Sequence, residues 1–439
     1  MPKKHIIDLN TISRLHFIGI GGVGISALAR LMVHEGKQVS GTNDSESPET
    51  LAALRRQGVP IAVGIDPIAL PEADCYVYSD AWPINFPAVV DAACKTKKPT
   101  LSYYEMLGVV ANRYFVIPVS GTHGKTTTTA MVTDVLEAAG LDPTAVVGSL
   151  RAKTKSNFRA GKGKYFVVEA DEYRRHFLAF NPDILVITNI EADHLDYYKN
   201  LADIQDAFRT LARRVPEHGY IVCPQNDPKV AAVLEGVAAS VIDYRKFIDP
   251  LLRLKMPGMH NLLNAGAALG VAHALKIDTE VAKQALEDFA GTWRRSEYIG
   301  ETEKGAVVYD DYGHHPTEIE ATLKGFREKY PDKRMVVAFQ PHLHSRTKDF
   351  FDQFVEALAL ADDIILAPIF EARKEADHGV SSEKLARAVV KKTRKEARAL
   401  GSYEEIAGYL RDNTGAGDLI ITIGAGPINK VAEILVGKD

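Results

Sequence analysis

Gly121-Thr122-His123-Gly124-Lys125-Thr126-Thr127 follows directly on the apolar run at residues 114–119. A strand that ends in a glycine-rich turn and then enters a helix makes a cradle for phosphate. The glycines let backbone N–H groups approach closely, and the helix N-terminus adds positive potential. Lys125 is placed to reach terminal phosphates, and the Thr126 hydroxyl to hold Mg²⁺. The seven residues Gly121, Thr122, His123, Gly124, Lys125, Thr126 and Thr127 are therefore the first candidates for nucleotide binding. Only Thr122 and His123 separate Gly121 from Gly124-Lys125, whereas the common nucleotide loop spaces its glycines by four residues. A short loop of this kind points to ATP spent by a ligase rather than to a GTPase switch.

Outward from this stretch, apolar runs alternate with helical stretches through nearly all of the 439 residues. That pattern predicts an α/β chain of parallel sheets covered by helices. Three domains are expected: a Rossmann-like N-terminal domain at 1–112, a P-loop ATP-binding central domain at 113–296, and a Rossmann-like C-terminal domain at 297–439. Strands are predicted at 15–20, 39–41 and 76–79 in the first. The second has them at 114–119, 145–148, 165–168, 184–188, 220–223 and 241–244, and the third at 306–309, 335–339, 363–367 and 419–423. Helices are predicted at 25–34 and 261–275.

Hydrophobic residues make up 46% and charged residues 25%, as in a soluble globular protein. A net charge of −4 gives no reason to expect nucleic acid or an anionic membrane as partner. No segment has the unbroken apolar length that spans a bilayer, and Met1-Pro2-Lys3-Lys4-His5 opens no apolar signal core. Cys75, Cys94 and Cys223 are odd in number and widely spaced, which suits reduced thiols in a cytoplasm.

A second glycine loop, Gly19-Ile20-Gly21-Gly22-Val23-Gly24, has the geometry of a diphosphate seat. Alone it suggests NAD and an NAD-dependent oxidoreductase, and Asp44, about twenty residues further on, fits a ribose-binding acid. A UDP-linked substrate carries a similar diphosphate and ribose, so this loop does not separate the two. The oxidoreductase reading, however, leaves Lys125, Glu169 and His194 without a role.

Glu169, Asp171 and Glu172 lie at the C-terminal end of a predicted strand, on the sheet edge that carries the phosphate loop. Mg²⁺ combines one or two carboxylates with phosphate and water, which makes Glu169 the leading metal ligand. Asp171 and Glu172 read equally well as capping or solvated acids. The next strand ends in Thr188-Asn189-Ile190-Glu191-Ala192-Asp193-His194-Leu195-Asp196, and His194 is a candidate for a second Mg²⁺. His314, His315, His342 and His344 could form a transition-metal site, but no acid or cysteine spacing completes it.

Together with Gly258-Met259-His260-Asn261-Leu262-Leu263-Asn264, these motifs resemble the ATP-dependent Mur ligases of peptidoglycan synthesis. The resemblance spans nearly the whole chain. Asp310-Asp311-Tyr312-Gly313-His314-His315-Pro316-Thr317-Glu318 and Phe339-Gln340-Pro341-His342 leading to Ser345-Arg346-Thr347 are similar to the branch that adds L-alanine to UDP-N-acetylmuramate. The rival branch, in murein recycling, attaches a whole tripeptide.

The resemblance implies ATP and Mg²⁺ as cofactors, with Thr126, Glu169 and His194 at the metal and Lys125 on the β- and γ-phosphates. It implies that His260, Asn261 and Arg295 contact the nucleotide. Gly21, Gly22, Val23, Gly24 and Ser79 would hold the UDP part, and Tyr312, His314, His342 and Arg346 would face the substrate. The implied reaction runs through an acyl phosphate of the muramate carboxylate, attacked by the alanine amine, with closure of the domains assembling the site. Lys125, Glu169, His194, His314 and Arg346 are the residues expected to carry it, and His194 and His314 are candidate bases for the amine proton. The expected protein is cytoplasmic, a monomer or homodimer.

The chain departs from the family in several places. Gly64-Ile65 stands where Gly-His is common, Leu343 stands where one branch has an arginine, and the segment at 245–256 is shorter than the usual β-rich insert. The stretch 204–211 has no lysine, so the carbamoylated lysine of sister ligases is not expected.

Overall fold

The computed structural model describes residues 7–46, 48–65, 70–195, 197–371, 375 and 379–437, with positions 48 and 49 described in backbone only. Asp196 and the first five residues, both singled out above, lie outside the described residues. By internal contacts the chain divides into two compact units. One comprises Met1–Leu252 with Leu263–Phe289, the other Arg253–Leu262 with Ala290–Asp439.

The first unit holds two sheets. Strands β1 (Arg14–Ile18), β2 (Gln38–Asn43), β3 (Ile61–Val63), β4 (Cys75–Tyr78) and β5 (Thr100–Ser102) form an all-parallel sheet of order β3-β2-β1-β4-β5. Strand order reverses beside β1, and in open α/β sheets ligands bind at that crevice. Strands β6 (Phe115–Ser120), β7 (Thr144–Arg151), β8 (Ser156–Arg159), β9 (Tyr165–Glu169), β10 (Ile184–Ile187), β11 (Tyr220–Cys223) and β12 (Ser240–Asp243) form the second, of order β12-β11-β10-β6-β9-β7-β8. Only the β7–β8 pair in it is antiparallel. One apolar cluster runs from Leu15 and Phe17 of β1 through Leu107 to Phe166 and Val168 of β9, so the two sheets share a core.

The second unit is built on β13 (Glu297–Glu301), β14 (Val307–Asp311), β15 (Arg334–Phe339), β16 (Asp363–Leu366), β17 (Glu396–Ala399) and β18 (Asp418–Ile423). Their order is β13-β14-β18-β15-β16-β17, parallel except for β13 on β14. Its central strands are near-continuous apolar runs, because helices cover both faces. The three-domain α/β architecture expected from the sequence is present.

The strands missed by the sequence reading are β3, β5, β8, β13 and β17. All are short edge strands or poor in apolar residues, so their periodicity is weak. The strand expected at 241–244 is β12, one residue earlier, and Tyr244 begins a 3₁₀ turn. From there to Pro257 the described backbone has no strand, in keeping with the short segment seen in the sequence. The helix Leu201–Ala212 contains no lysine.

His16 in β1 is 1% exposed. Its Nδ1 lies 2.9 Å from Ser40 Oγ and its Nε2 2.9 Å from Thr42 Oγ1. Burial pushes its pKa from 6.5 down to about 4. The unfolded chain therefore takes up this proton first as pH falls. The stabilisation is complete above pH 6.5 and is lost on the way down to about 4. Between pH 7 and pH 5 this group should cost about 2 kcal/mol. We expect the thermal midpoint of the wild type to drop more steeply over that interval than that of His16→Gln; parallel curves would assign the acid sensitivity elsewhere.

Candidate active site

Adjacent parallel strands bring the loops of the candidate site side by side. Val119 of β6 pairs with Glu169 of β9, and Ser120 of β6 pairs with Ile187 of β10. The phosphate loop, the acidic stretch and the Asn189 stretch thus leave the sheet at one edge, where parallel strands present their ligand-facing ends.

The loop itself is fixed by glycine and by Asn189. Gly121 has φ 131°, and a Cβ there would lie 2.1 Å from Thr188 Oγ1. Gly124 has φ 83°, and a Cβ would meet Asn264 Oδ1 at 2.4 Å. No other residue fits either position without displacing a neighbour. The Asn189 carboxamide accepts from His123 N–H at 2.9 Å and donates to the His123 carbonyl at 3.0 Å. Thr188 Oγ1 donates to the same carbonyl at 2.6 Å, and Thr122 Oγ1 accepts from Glu191 N–H at 2.8 Å. The helix Lys125–Ala138 then begins with four consecutive threonines after the lysine, poor helix formers by intrinsic preference. Tertiary contacts hold it: Thr128 Oγ1 donates to Asn264 Oδ1 at 3.1 Å, and Thr129 and Thr133 hydroxyls bond back to the preceding turn.

Thr126 Oγ1 donates to Glu169 Oε1 at 2.9 Å, and the other Glu169 oxygen accepts from Gly148 N–H at 2.7 Å. A hydroxyl and a carboxylate in contact beside a phosphate loop are the hard oxygen donors that Mg²⁺ takes, so these residues fit the ion. Nearby, the ligand atoms of Asp171, Glu172 and His194 all lie within 4.8 Å of one another.

Glu172 corrects the sequence reading. It is not a solvated acid but 2% exposed, with both carboxylate oxygens on Lys125 Nζ, at 3.1 and 2.9 Å. Burial pushes its pKa up to about 7 even with Lys125 alongside. Burial alone would lower the Lys125 pKa; Glu172 and Asp171 outweigh it and raise it, so the lysine is charged. Asp171 makes a local turn bond: its carboxylate accepts from Tyr173 N–H at 3.1 Å, and the 3₁₀ helix that follows has no side-chain cap.

At the first glycine loop, Gly21 N–H donates to Asn43 Oδ1 at 2.9 Å, and Thr50 Oγ1 donates to the Gly21 carbonyl at 2.7 Å. Asp44, the expected ribose acid, is exposed, and the preceding Asn43 is the residue that reaches the loop. Ser79 Oγ lies beside Gly22, and Val23 is 41% exposed. Gly24 packs on the Tyr103 ring, which a Cβ would strike at 2.8 Å.

The remaining candidates lie in the second unit. His260 is a half-buried side chain against which Gly258 packs, and Asn261 Nδ2 donates to the Pro257 carbonyl at 2.7 Å. Arg294 is 4% exposed and donates to Asp310 and to the carbonyls of Gly424 and Gly426 at 2.6–2.8 Å. Its neighbour Arg295 lies over the Tyr312 ring, 5.0 Å from the centroid. The Tyr312, His314 and His342 rings form a chain, with centroids 5.7 and 5.6 Å apart. His315 caps the helix Pro316–Lys329 through Nδ1, and His344 Nε2 lies 3.1 Å from Glu371 Oε1. Among the described residues these four histidines do not converge into a metal cluster. Arg346 is on the short helix His344–Asp349, and Leu343 before it is 9% exposed with φ 63°.

Comparison with known proteins agrees with this architecture. Residues 14–115 match the Mur ligase family catalytic domain, 119–247 the Mur ligase middle domain, and 294–426 the Mur ligase glutamate ligase domain. A UDP-N-acetylmuramate–L-alanine ligase of Caldanaerobacter subterraneus subsp. tengcongensis is 38% identical over 97% of this chain and 98% of its own length. The enzyme of that description from Desulfitobacterium hafniense is 37% identical over 96% and 99%. Among solved structures, UDP-N-acetylmuramate-alanine ligase from Thermotoga maritima superposes with a TM-score of 0.79 at 28% identity, covering 97% of this chain and 98% of its own. A murein peptide ligase from Psychrobacter arcticus gives 0.70 at 25%, covering 96% and 98%. The chain belongs to the Mur ligase family. Membership sets aside the oxidoreductase reading of the first glycine loop.

The two bonds from the Asn189 carboxamide to His123 give that residue its role in the loop. Asn189→Ala removes both, and we expect the apparent KM for ATP to rise about tenfold with the thermal midpoint little changed. An unchanged KM would mean that the loop holds its shape without this carboxamide.

Proposed function

We propose that this chain joins L-alanine to the carboxylate of UDP-N-acetylmuramate at the expense of ATP, through an acyl phosphate. The observation that carries this is the near-full-length identity with curated relatives of that activity. The loop at 121–127 supports it, with its lysine, threonine and acid partner in contact. In this reading the domain at 1–112 takes the UDP substrate, that at 113–296 takes ATP, and that at 297–439 takes the amino acid.

The chemistry asks specific things of these side chains. The muramate carboxylate must attack the γ-phosphate and displace ADP to give the acyl phosphate, and charge builds on the phosphoryl oxygens as it does so. The loop amides at Gly121–Thr127, together with Lys125 once the phosphates have drawn it over, supply donors for that charge. Thr126 and Glu169 would hold Mg²⁺, with His194 toward a second ion; the ion supplies Lewis-acid stabilisation of the phosphates when bound. The amine of L-alanine then attacks the acyl carbon, and phosphate leaves. Arg346 fixes the alanine carboxylate by its planar fork, beside Tyr312, His314 and His342, with His314, or His194 if it holds no ion, taking the amine proton. His260, Asn261 and Arg295 serve the nucleotide, and Gly21, Gly22, Val23, Gly24 and Ser79 serve the UDP diphosphate.

No helix among the described residues is long and apolar enough to cross a membrane. A cytoplasmic site of action fits this reading, since nucleotide-linked substrates and ATP are cytoplasmic compounds.

The deciding experiment is phosphate release from ATP with UDP-N-acetylmuramate against a panel of amino acids and the tripeptide. L-Alanine should support turnover at the lowest concentration. Preference for the tripeptide would move the chain to the recycling branch.

Arg346→Lys keeps the charge and loses the fork. It should raise the apparent KM for alanine at least tenfold and leave that for ATP unchanged, measured in the same preparation. A rise for ATP alone would assign Arg346 to the nucleotide.

A further inference from the structure

We infer that Glu172 is the resting partner of the phosphate-loop lysine: it holds Lys125 folded back on its own loop until nucleotide phosphates draw the ammonium away. This rests on the reading of the loop as an ATP site. The Lys125 ammonium has three protons. In the structure they face the Gly121 carbonyl at 2.6 Å, the Thr122 carbonyl at 3.1 Å and the two Glu172 oxygens at 3.1 and 2.9 Å. Every donor is therefore committed inside the protein. The side chains are 15% and 3% exposed, so water screens the pair little.

Glu172 is held in place by its own backbone. Its carbonyl accepts from the Tyr198 hydroxyl and from Arg175 N–H. The next turn carries Arg174 and Arg175 at φ 51° and 60°, a left-handed pair that non-glycine residues adopt only when surroundings impose it. A nucleotide must therefore break a buried, charge-assisted contact to recruit Lys125, and part of its binding free energy goes into that exchange. The carboxylate left behind faces His194, whose Nε2 is 3.9 Å from Glu172 Oε1, and lies in the group with Asp171. Glu172 is thus a positioning residue acting through Lys125, and it makes nucleotide binding weaker than the loop alone would allow.

The test is calorimetric binding of ADP, without Mg²⁺, to the full chain and two variants. Glu172→Gln removes the charge with the shape kept. Glu172→Asp keeps the charge but withdraws it from Lys125 by one methylene. Both should bind ADP more tightly than wild type, Gln by about tenfold and Asp by less. Nucleotide-free Glu172→Gln should also melt lower than wild type, and adding Lys125→Met should restore the midpoint, because the unpaired buried charge is then gone. Unchanged or weaker ADP binding in both variants overturns the inference while leaving the ATP site intact. Tightening in Gln but not in Asp also overturns it, since that outcome requires only the loss of a negative field. Failure of the wild type to bind ADP or ATP would overturn the reading of the site itself.

Discussion

The adjacency of β10, β6 and β9 in one parallel sheet is the constraint on which the candidate site depends. Because strands run parallel and in register, Ser120, Glu169 and Ile187 end at one edge, and the chain leaves each of them into a loop on that side. Three segments distant in sequence then meet without any long-range design beyond strand order. The phosphate loop supplies amides and Lys125. The acidic stretch supplies Glu169 to Thr126 and Glu172 to Lys125, and the third stretch supplies Asn189 to His123. The loop has few internal bonds of its own, and its shape is borrowed from its neighbours.

That dependence explains what could be read from sequence. The central strands β6, β10, β15 and β18 are largely apolar runs buried on both faces, and such runs are visible in a single sequence. Gly121 and Gly124 were visible because their backbone conformations demand glycine. Asn43 and Glu172 were not. Each acts through one contact to a residue far away in sequence, Gly21 or Lys125, and a lone polar residue at a strand end looks the same whether it caps, solvates or anchors. For Glu172 the deciding quantity is burial, which depends on Tyr198 and the Arg174-Arg175 turn packing over it. Short edge strands such as β3 and β17 escaped for a related reason: with one neighbour each and mixed burial, they carry no period to detect.

The acids of the acidic stretch divide their labour according to surroundings rather than type. Glu169 is half-buried and bonded to a hydroxyl and a backbone amide, an arrangement that leaves lone pairs for a cation. Asp171 satisfies a local amide and takes the Tyr104 hydroxyl at 3.4 Å. Glu172 is committed to a buried ammonium. One tetrapeptide thus holds a metal-type oxygen donor, a turn-forming acceptor and a counter-ion.

In the second unit the same logic separates two adjacent arginines. Arg294 is consumed by Asp310 and by the carbonyls of Gly424 and Gly426, which ties the segment before β13 to the ends of β14 and β18. Ser296 is tied in turn to Asp311 through its amide at 2.7 Å and its hydroxyl at 3.2 Å. Both flanking residues have left-handed backbones, φ 58° at Arg294 and 47° at Ser296, conformations of order 1–3 kcal/mol above the ordinary regions. The buried ion pair and the Asp311 bonds offset that cost. Between these two anchors Arg295 projects over Tyr312, whose amide donates to the Arg294 carbonyl at 2.6 Å. The buried arginine therefore sets the direction of the partly exposed one. Arg294 is thus spent on the backbone: a guanidinium already fixed to Asp310 and two carbonyls has little left to offer a ligand.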